Sequence, residues 1–276
     1  MRFAVAAELE LFAGSVRGLL EDWEPEREAV LGQWADDRDD VLGARLAELG
    51  WAELWTDPEL LGPAVAGAVE LGRVVAPLHL IDEATLGAPL AVGARVRHGE
   101  GRSRAAWRTG GGLALRSFGA RRREPTLDAS GTVVVGDCGA PVEVVAGAGR
   151  WDAWSAATAG YLAGLADGAL GGAIEHARSR EQFGAPLSAL PAIQAKLADA
   201  ALARDGLVLV AWSLASAESD AGDALAWAGT ACREVTTIVQ QAYGAVGFAL
   251  ESGVHRYYRR AKTVQVWADA LRAEPG

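Results

Sequence analysis

Arg180-Glu181-Gln182-Phe183-Gly184-Ala185-Pro186-Leu187 brings a forked cation, a flat aromatic ring, a glycine and a proline into eight residues. Arginine is permanently charged, and its planar fork matches a phosphate. Phe183 offers a flat apolar face. Gly184 can take the left-handed conformation that ends a helix, and Pro186 prevents the helix from resuming. Further on, Gln240-Gln241-Ala242-Tyr243-Gly244-Ala245-Val246-Gly247-Phe248 repeats the theme with small residues. Gln241, Gly244, Ala245 and Gly247 predict a tight turn or a near-flat helical segment that lets a ligand approach the main chain. Taken singly, each segment also fits a plainer reading: a surface ion pair for Arg180, and close packing for the glycines.

The surrounding sequence must position these two segments. Residues 1–93 read as helices: apolar residues recur every three or four positions in Met1–Leu20 and Val41–Leu49, and again in Pro63–Val74 and Ile81–Val92, with Pro77 breaking the chain between the last two. Residues 94–150 are rich in glycine and arginine. Gly112–Leu115, Gly131–Val135 and Val142–Val145 read there as short strands of a small β unit. Residues 151–276 return to helix, near 152–178, 189–218, 221–248 and 254–271, and predict an antiparallel four-helix bundle. The fold class is therefore α+β, mostly α. Gly160, Gly164, Gly168 and Gly172 recur every four residues along one helix face. Each costs about 1 kcal/mol relative to alanine in a helix interior, so something must need that face flat: another helix, a flat ligand or a partner subunit.

Composition narrows the function. Half of the residues are apolar, as in a globular chain. A net charge of -10 argues against nucleic acid or anionic membrane as a general partner. No apolar run reaches membrane-span length, and the start turns acidic too early for a signal peptide. Cys138 and Cys232 fit no metal spacing and read as two reduced thiols of a cytoplasmic protein. The scattered histidines His79, His98, His176 and His255 predict no metal site. Nine arginines against Glu100 within 95–123 form a basic patch able to steer a phosphate-bearing ligand, a solvated surface, or a contact with an acidic partner.

The ordered set of motifs carries a resemblance. Arg180-x-Gln182-Phe183-Gly184-x-Pro186-Leu187, Ile193-Gln194-x-Lys196-Leu197-Ala198-Asp199, Gln241-x-x-Gly244-Ala245-x-Gly247-Phe248-x-x-Glu251 and Arg259-Arg260-Ala261-Lys262 resemble the flavin-dependent acyl-CoA dehydrogenases. The likeness is good over 151–267 and weaker over 1–93. It implies an N-terminal helical domain (1–93), a reduced β domain (94–150) and a C-terminal helical bundle (151–276). It also implies that Arg180, Phe183, Gln241 and Gly244, with Gln182, Leu187 and Ala245 as neighbours, grip the ADP half of an FAD held mainly by a partner subunit.

The family removes a proton with a glutamate at one of two places, and counting from the motifs puts Ala268 and Trp154 there. Asp269 and Asp152 lie close by as candidate displaced bases. The expected middle barrel and its flavin-cradling strand edges are shortened, although Trp107 lies in that stretch. The chain therefore resembles a short, divergent subunit of the heteromeric actinobacterial dehydrogenases that act on steroid side-chain CoA thioesters. It would have no base of its own, and its partner would be a longer subunit carrying the glutamate, in an α2β2 heterotetramer. Two other readings stay open: a structural or regulatory partner that binds no cofactor, and a self-sufficient flavoenzyme of different chemistry.

Overall fold

A computed structural model describes residues 7–21, 37–110, 112–128, 133–146, 149–182, 184–216 and 221–273. Apolar spacing builds the first unit much as expected. Helix α1 (Ala7–Leu20) buries Ala13, Val16 and Leu20, and α2 (Asp37–Glu48) buries Leu42 and Leu46. Met1–Ala6 of the first expected helix lie outside the described residues. A single turn, α3 (Trp51–Leu54), leads to α4 (Leu61–Arg73), whose core face is Ala64, Val65, Ala68 and Leu71. Helix α5 (His79–Leu86) follows Pro77.

The expected helix through Val92 stops early. Gly87 sits at φ +76°, its N–H bonds the Glu83 carbonyl (3.1 Å), and Pro89 follows. The chain then enters strand β1 (Leu90–Val92), so the first strand lies inside the stretch read as helical. It is joined by β2 (Arg95–Arg97), β3 (Arg104–Thr109), β4 (Gly112–Glu124) and β5 (Val133–Ala146). These close into a barrel of order β1-β2-β5-β4-β3, antiparallel except for the β1–β3 pair. The strands expected at 131–135 and 142–145 are one continuous strand within its described part, and Gly131 and Thr132 lie outside the described residues. Trp107, Phe118, Val96 and Val134 fill the barrel, and the Trp107 indole donates to the Gly93 carbonyl at 3.0 Å. Trp107 is thus a core residue of the barrel.

The bundle consists of α6 (Gly149–Ser179), α7 (Pro191–Ala215), α8 (Ala221–Tyr243) and α9 (His255–Ala273). Helix α8 ends at Tyr243, five residues before the expected stop, because Gly244 turns to φ +66° and Gly244–Phe248 tighten into a 3₁₀ turn. The glycine face of α6 lies against α4. A Cβ added to Gly164 or Gly168 would overlap the carbonyl of Val69 or Arg73, and one on Gly72 would overlap the carbonyl of Tyr161. One on Gly160 would meet the Val65 carbonyl oxygen at 3.1 Å. Close helix packing, not a ligand, explains these three α6 glycines; at Gly172 the neighbour is the Tyr243 hydroxyl.

Candidate functional site

Both singled-out segments lie at one end of the bundle, where α6 and α8 finish. Helix α6 ends at Ser179, one residue before Arg180. Gly184 does not cap the helix. It turns a two-residue hairpin, Glu181–Gln182 against Ala185–Pro186, at φ +79°. The Leu187 N–H closes the loop onto the Arg180 carbonyl at 2.8 Å, and the Leu187 side chain is buried beneath it. Arg180 and Gln182 are exposed, and the Arg180 guanidinium has no hydrogen-bond or acidic partner among the described residues. Phe183 lies outside the described residues.

One turn before Arg180, His176 stacks on Tyr243 with ring centroids 4.1 Å apart, and the Tyr243 hydroxyl donates to the Gly172 carbonyl at 2.8 Å. This contact brings the Arg180 loop beside the Gln241–Ala245 turn. Partial burial, then the charge of Arg180, hold the His176 imidazole below its usual pKa, so near neutrality it is an uncharged ring. Gln241 is exposed and accepts a hydrogen bond from Lys196 Nζ at 2.9 Å, which gives the edge a second cation. Gly244 needs its positive φ, and a Cβ there would meet nothing within 4 Å, so the main chain faces open space. Ala245 is exposed beside it, as are Val246, Phe248 (65%) and Leu250. The arrangement offers a free guanidinium, an ammonium and an approachable backbone, which suit a pyrophosphate. Sequence reading gave no role to His176 or Tyr243. The spacing of His176 one turn before Arg180 was the available signal.

The centre of the molecule is built differently. Trp154, from α6, is 1% exposed and donates its indole N–H to Asp82 Oδ1 at 2.9 Å. Asp82, on α5, is fully buried and forms a two-pronged ion pair with Arg97 on β2, whose Nε lies 2.7 Å from Oδ2. The Arg97 guanidinium also lies over the rings of Trp154 (5.6 Å) and Trp267 (5.9 Å). Trp151 stacks on Trp154 at 4.6 Å, and the Arg108 guanidinium lies over the Trp151 ring at 5.1 Å. Ala268, next to Trp267 on α9, is buried too. Barrel, α5, α6 and α9 therefore converge on a filled cluster around one ion pair. Nothing in the sequence spacing announced Asp82 or Arg97.

Asp269 is exposed. Asp152 is half-buried; desolvation raises its carboxyl pKa, and nearby Arg108 opposes the rise. Beside the cluster, a groove of about 350 Å³ runs between α9 and the barrel, walled by Val92, Leu127, Val133, Val266 and Trp267. Most of the arginine-rich stretch is neutralised: Arg95 and Arg122 pair with Glu124, Arg97 with Asp82, Arg102 with Glu83, Arg121 with Asp137 and Arg123 with Glu100. Among the described residues, no group of His, Cys, Asp and Glu could hold a metal ion, and no helix is long and apolar enough to cross a membrane.

Residues 155–268 match the family model for the acyl-CoA dehydrogenase C-terminal domain. The mitochondrial short-chain specific acyl-CoA dehydrogenase of Bos taurus is 35% identical over 111 residues, covering 38% of this chain and 27% of that protein. Cyclohex-1-ene-1-carbonyl-CoA dehydrogenase of Syntrophus aciditrophicus is 36% identical over 117 residues, 40% of this chain and 28% of that protein. The chain thus spans little more than a quarter of these relatives. Among solved structures, the ChsE4-ChsE5 complex from Mycobacterium tuberculosis aligns with a TM-score of 0.72 at 19% identity, over 98% of this chain and 96% of that one. The Tcur3481-Tcur3483 steroid ACAD variant aligns with a TM-score of 0.72 at 20% identity, over 96% and 94%. At such identities the structural likeness speaks for the fold.

Proposed function

We propose, from the premise that this chain has the acyl-CoA dehydrogenase fold and carries that family's C-terminal domain over residues 155–268, that it is a non-catalytic subunit of a heteromeric, FAD-dependent acyl-CoA dehydrogenase. The observation that carries this reading is the contrast at the two expected base positions. Trp154 and Ala268 are buried, and Trp154 is tied into the Asp82–Arg97 ion pair. Neither side chain accepts a proton. The base, and the larger part of the coenzyme site, then belong to a longer partner subunit.

The bundle end is the part this chain contributes. Arg180 supplies charge to the ADP half of FAD, Phe183 a ring face, and Gln241, Gly244 and Ala245 a hydrogen-bonding, sterically open edge, with Gln182 and Leu187 shaping the loop. The residues described fit that group: the guanidinium of Arg180 is uncommitted, and the space at Gly244 is open. Bound there, FAD supplies the acceptor for the substrate hydride; this chain orients and charge-compensates it. The exposed Val246, Phe248 and Leu250 support a partner surface around the same edge, in an α2β2 assembly in the cytoplasm. The fold neighbour named as a steroid ACAD supports a bulky CoA thioester, a steroid side chain, as substrate.

Co-expression with the adjacent reading frame tests this. A stable complex with about one flavin per pair is expected, and Arg180→Ala should weaken FAD retention about tenfold, the size of a charge-assisted contact. Unchanged flavin content in that variant would instead favour a structural or regulatory subunit. A preference for short unbranched acyl-CoA would remove the steroid assignment. One observation favours a different reading. The groove between α9 and the barrel would be the flavin site of a self-sufficient enzyme, and that enzyme would be yellow and active when this chain is expressed alone.

A further inference from the structure

Of the nine arginines in 95–123, six have acid partners, Arg108 rests on Trp151 and Arg116 lies near the Cys138 sulfur (3.9 Å). Arg104 alone among them has no acid, ring or sulfur partner among the described residues. It lines a crevice of about 330 Å³ between the α5–β1 connection and the β2–β3 turn, together with Glu83, Gly87, Gly101, Arg102 and Ser103. Arg102 is paired with Glu83 at the crevice wall. Arg150 reaches the border of the crevice, where its Nη1 donates to the Leu86 carbonyl at 3.4 Å beside Gly87. Gly87 and Gly101 both sit at positive φ in the two loops that line the crevice.

The charge balance indicates the ligand. Among the described residues, two guanidinium groups line the crevice and a third borders it against one carboxylate, which leaves two positive charges without an acidic partner there. A phosphate monoester or pyrophosphate near neutrality carries a matching charge. Arg104 can offer it a bidentate fork, and the Ser103 hydroxyl adds a donor that can rotate to suit. The volume lies at the small end of ligand sites, and the walls are polar, so the crevice suits a charged group better than an acyl chain. We infer that this crevice binds a phosphoryl group and, on the reading of the chain as part of an acyl-CoA dehydrogenase, that the group belongs to the coenzyme A moiety of the substrate. This part rests on that reading; the crevice and its charge do not.

The test is calorimetric titration of the co-expressed complex with coenzyme A, dephospho-coenzyme A and inorganic phosphate, at low and high salt. Arg104→Ala should weaken coenzyme A binding about tenfold, Arg104→Lys should restore part of the loss, and wild-type affinity should fall with ionic strength. Weaker binding of dephospho-coenzyme A assigns the crevice to the 3′-phosphate; equal binding assigns it to the pyrophosphate. Flavin content, read on the same samples, should be unchanged by Arg104→Ala. A fall in flavin with Arg180→Ala therefore reports on the proposed function separately. Coenzyme A binding within twofold of wild type in a folded Arg104→Ala complex would overturn the inference. So would phosphate binding that coenzyme A fails to displace.

Discussion

The centre of this molecule and the end of its bundle use the same residue types to opposite ends. At the centre, Arg97 is buried, paired with Asp82 and covered by Trp154 and Trp267. At the bundle end, Arg180 is exposed and has no acidic or hydrogen-bond partner among the described residues, next to a glycine turn that faces open space. A buried ion pair is costly to break, because removing one partner leaves an uncompensated charge. An exposed arginine costs the fold little to lose. The fold therefore depends on the centre, and the contact we propose with FAD lies at the margin.

Four measurements would break or sharpen that contrast. Asp82→Ala strands the Arg97 guanidinium and should cost about 3–5 kcal/mol in a denaturant titration; a loss below 1 kcal/mol would mean the centre is not the keystone described. Gly164→Ala forces α4 and α6 apart at the Val69 carbonyl and should cost roughly 1–3 kcal/mol, seen as a lower melting temperature.

The third concerns pH. His98 is held well below its ordinary pKa, first by burial and then by His79, Arg97, Arg260 and Arg102. Its folded form takes up a proton less readily than the unfolded chain. Stability is therefore unaffected above the unfolded pKa near 6.5 and falls as pH drops below it, by at most about 1.4 kcal/mol per pH unit from this group. His98→Asn, which tolerates the positive φ of 52° at that position, should flatten the decline between pH 6.5 and 5; an unchanged slope would place the titration elsewhere. The smallest expected effect is at the bundle end: Arg180→Ala and Phe248→Ser should each shift the stability of the isolated chain by less than about 0.5 kcal/mol. A larger loss would mean that end is part of the folding core after all.

Legibility in the sequence followed the range of the interactions. Helices α1, α4, α6 and α9 could be read from local apolar spacing, and the glycine face of α6 could be read as a packing surface. The barrel could not. Its closure depends on pairs such as Val96–Val134 and Ala106–Leu115, and β5 is punctuated by Gly136, Gly139 and Pro141, which read as breaks. The end of α5 was readable from Gly87 and Pro89 and was passed over because Leu90–Val92 continued an apolar pattern. At the bundle end, the motif residues were visible from spacing, but their meeting depends on the His176–Tyr243 stack. At the centre, Asp82 and Trp154 lie 72 positions apart in the chain, and no local pattern links them. The arginine-rich stretch looked like a patch because four of its acid partners, Asp82, Glu83, Glu124 and Asp137, lie outside residues 95–123.

The seam between α4 and α6 has a consequence for how this chain can change. Main chain touches main chain there, and the positions that keep it closed are those without side chains. Every substitution at Gly164 or Gly168 adds atoms where none fit, so a saturation library should return both as almost empty columns, emptier than those of the large apolar residues around them. Leucines and valines elsewhere can trade volume with their neighbours, but a missing side chain has nothing to trade. In a drifting lineage, this bare strip should be among the last surfaces to vary.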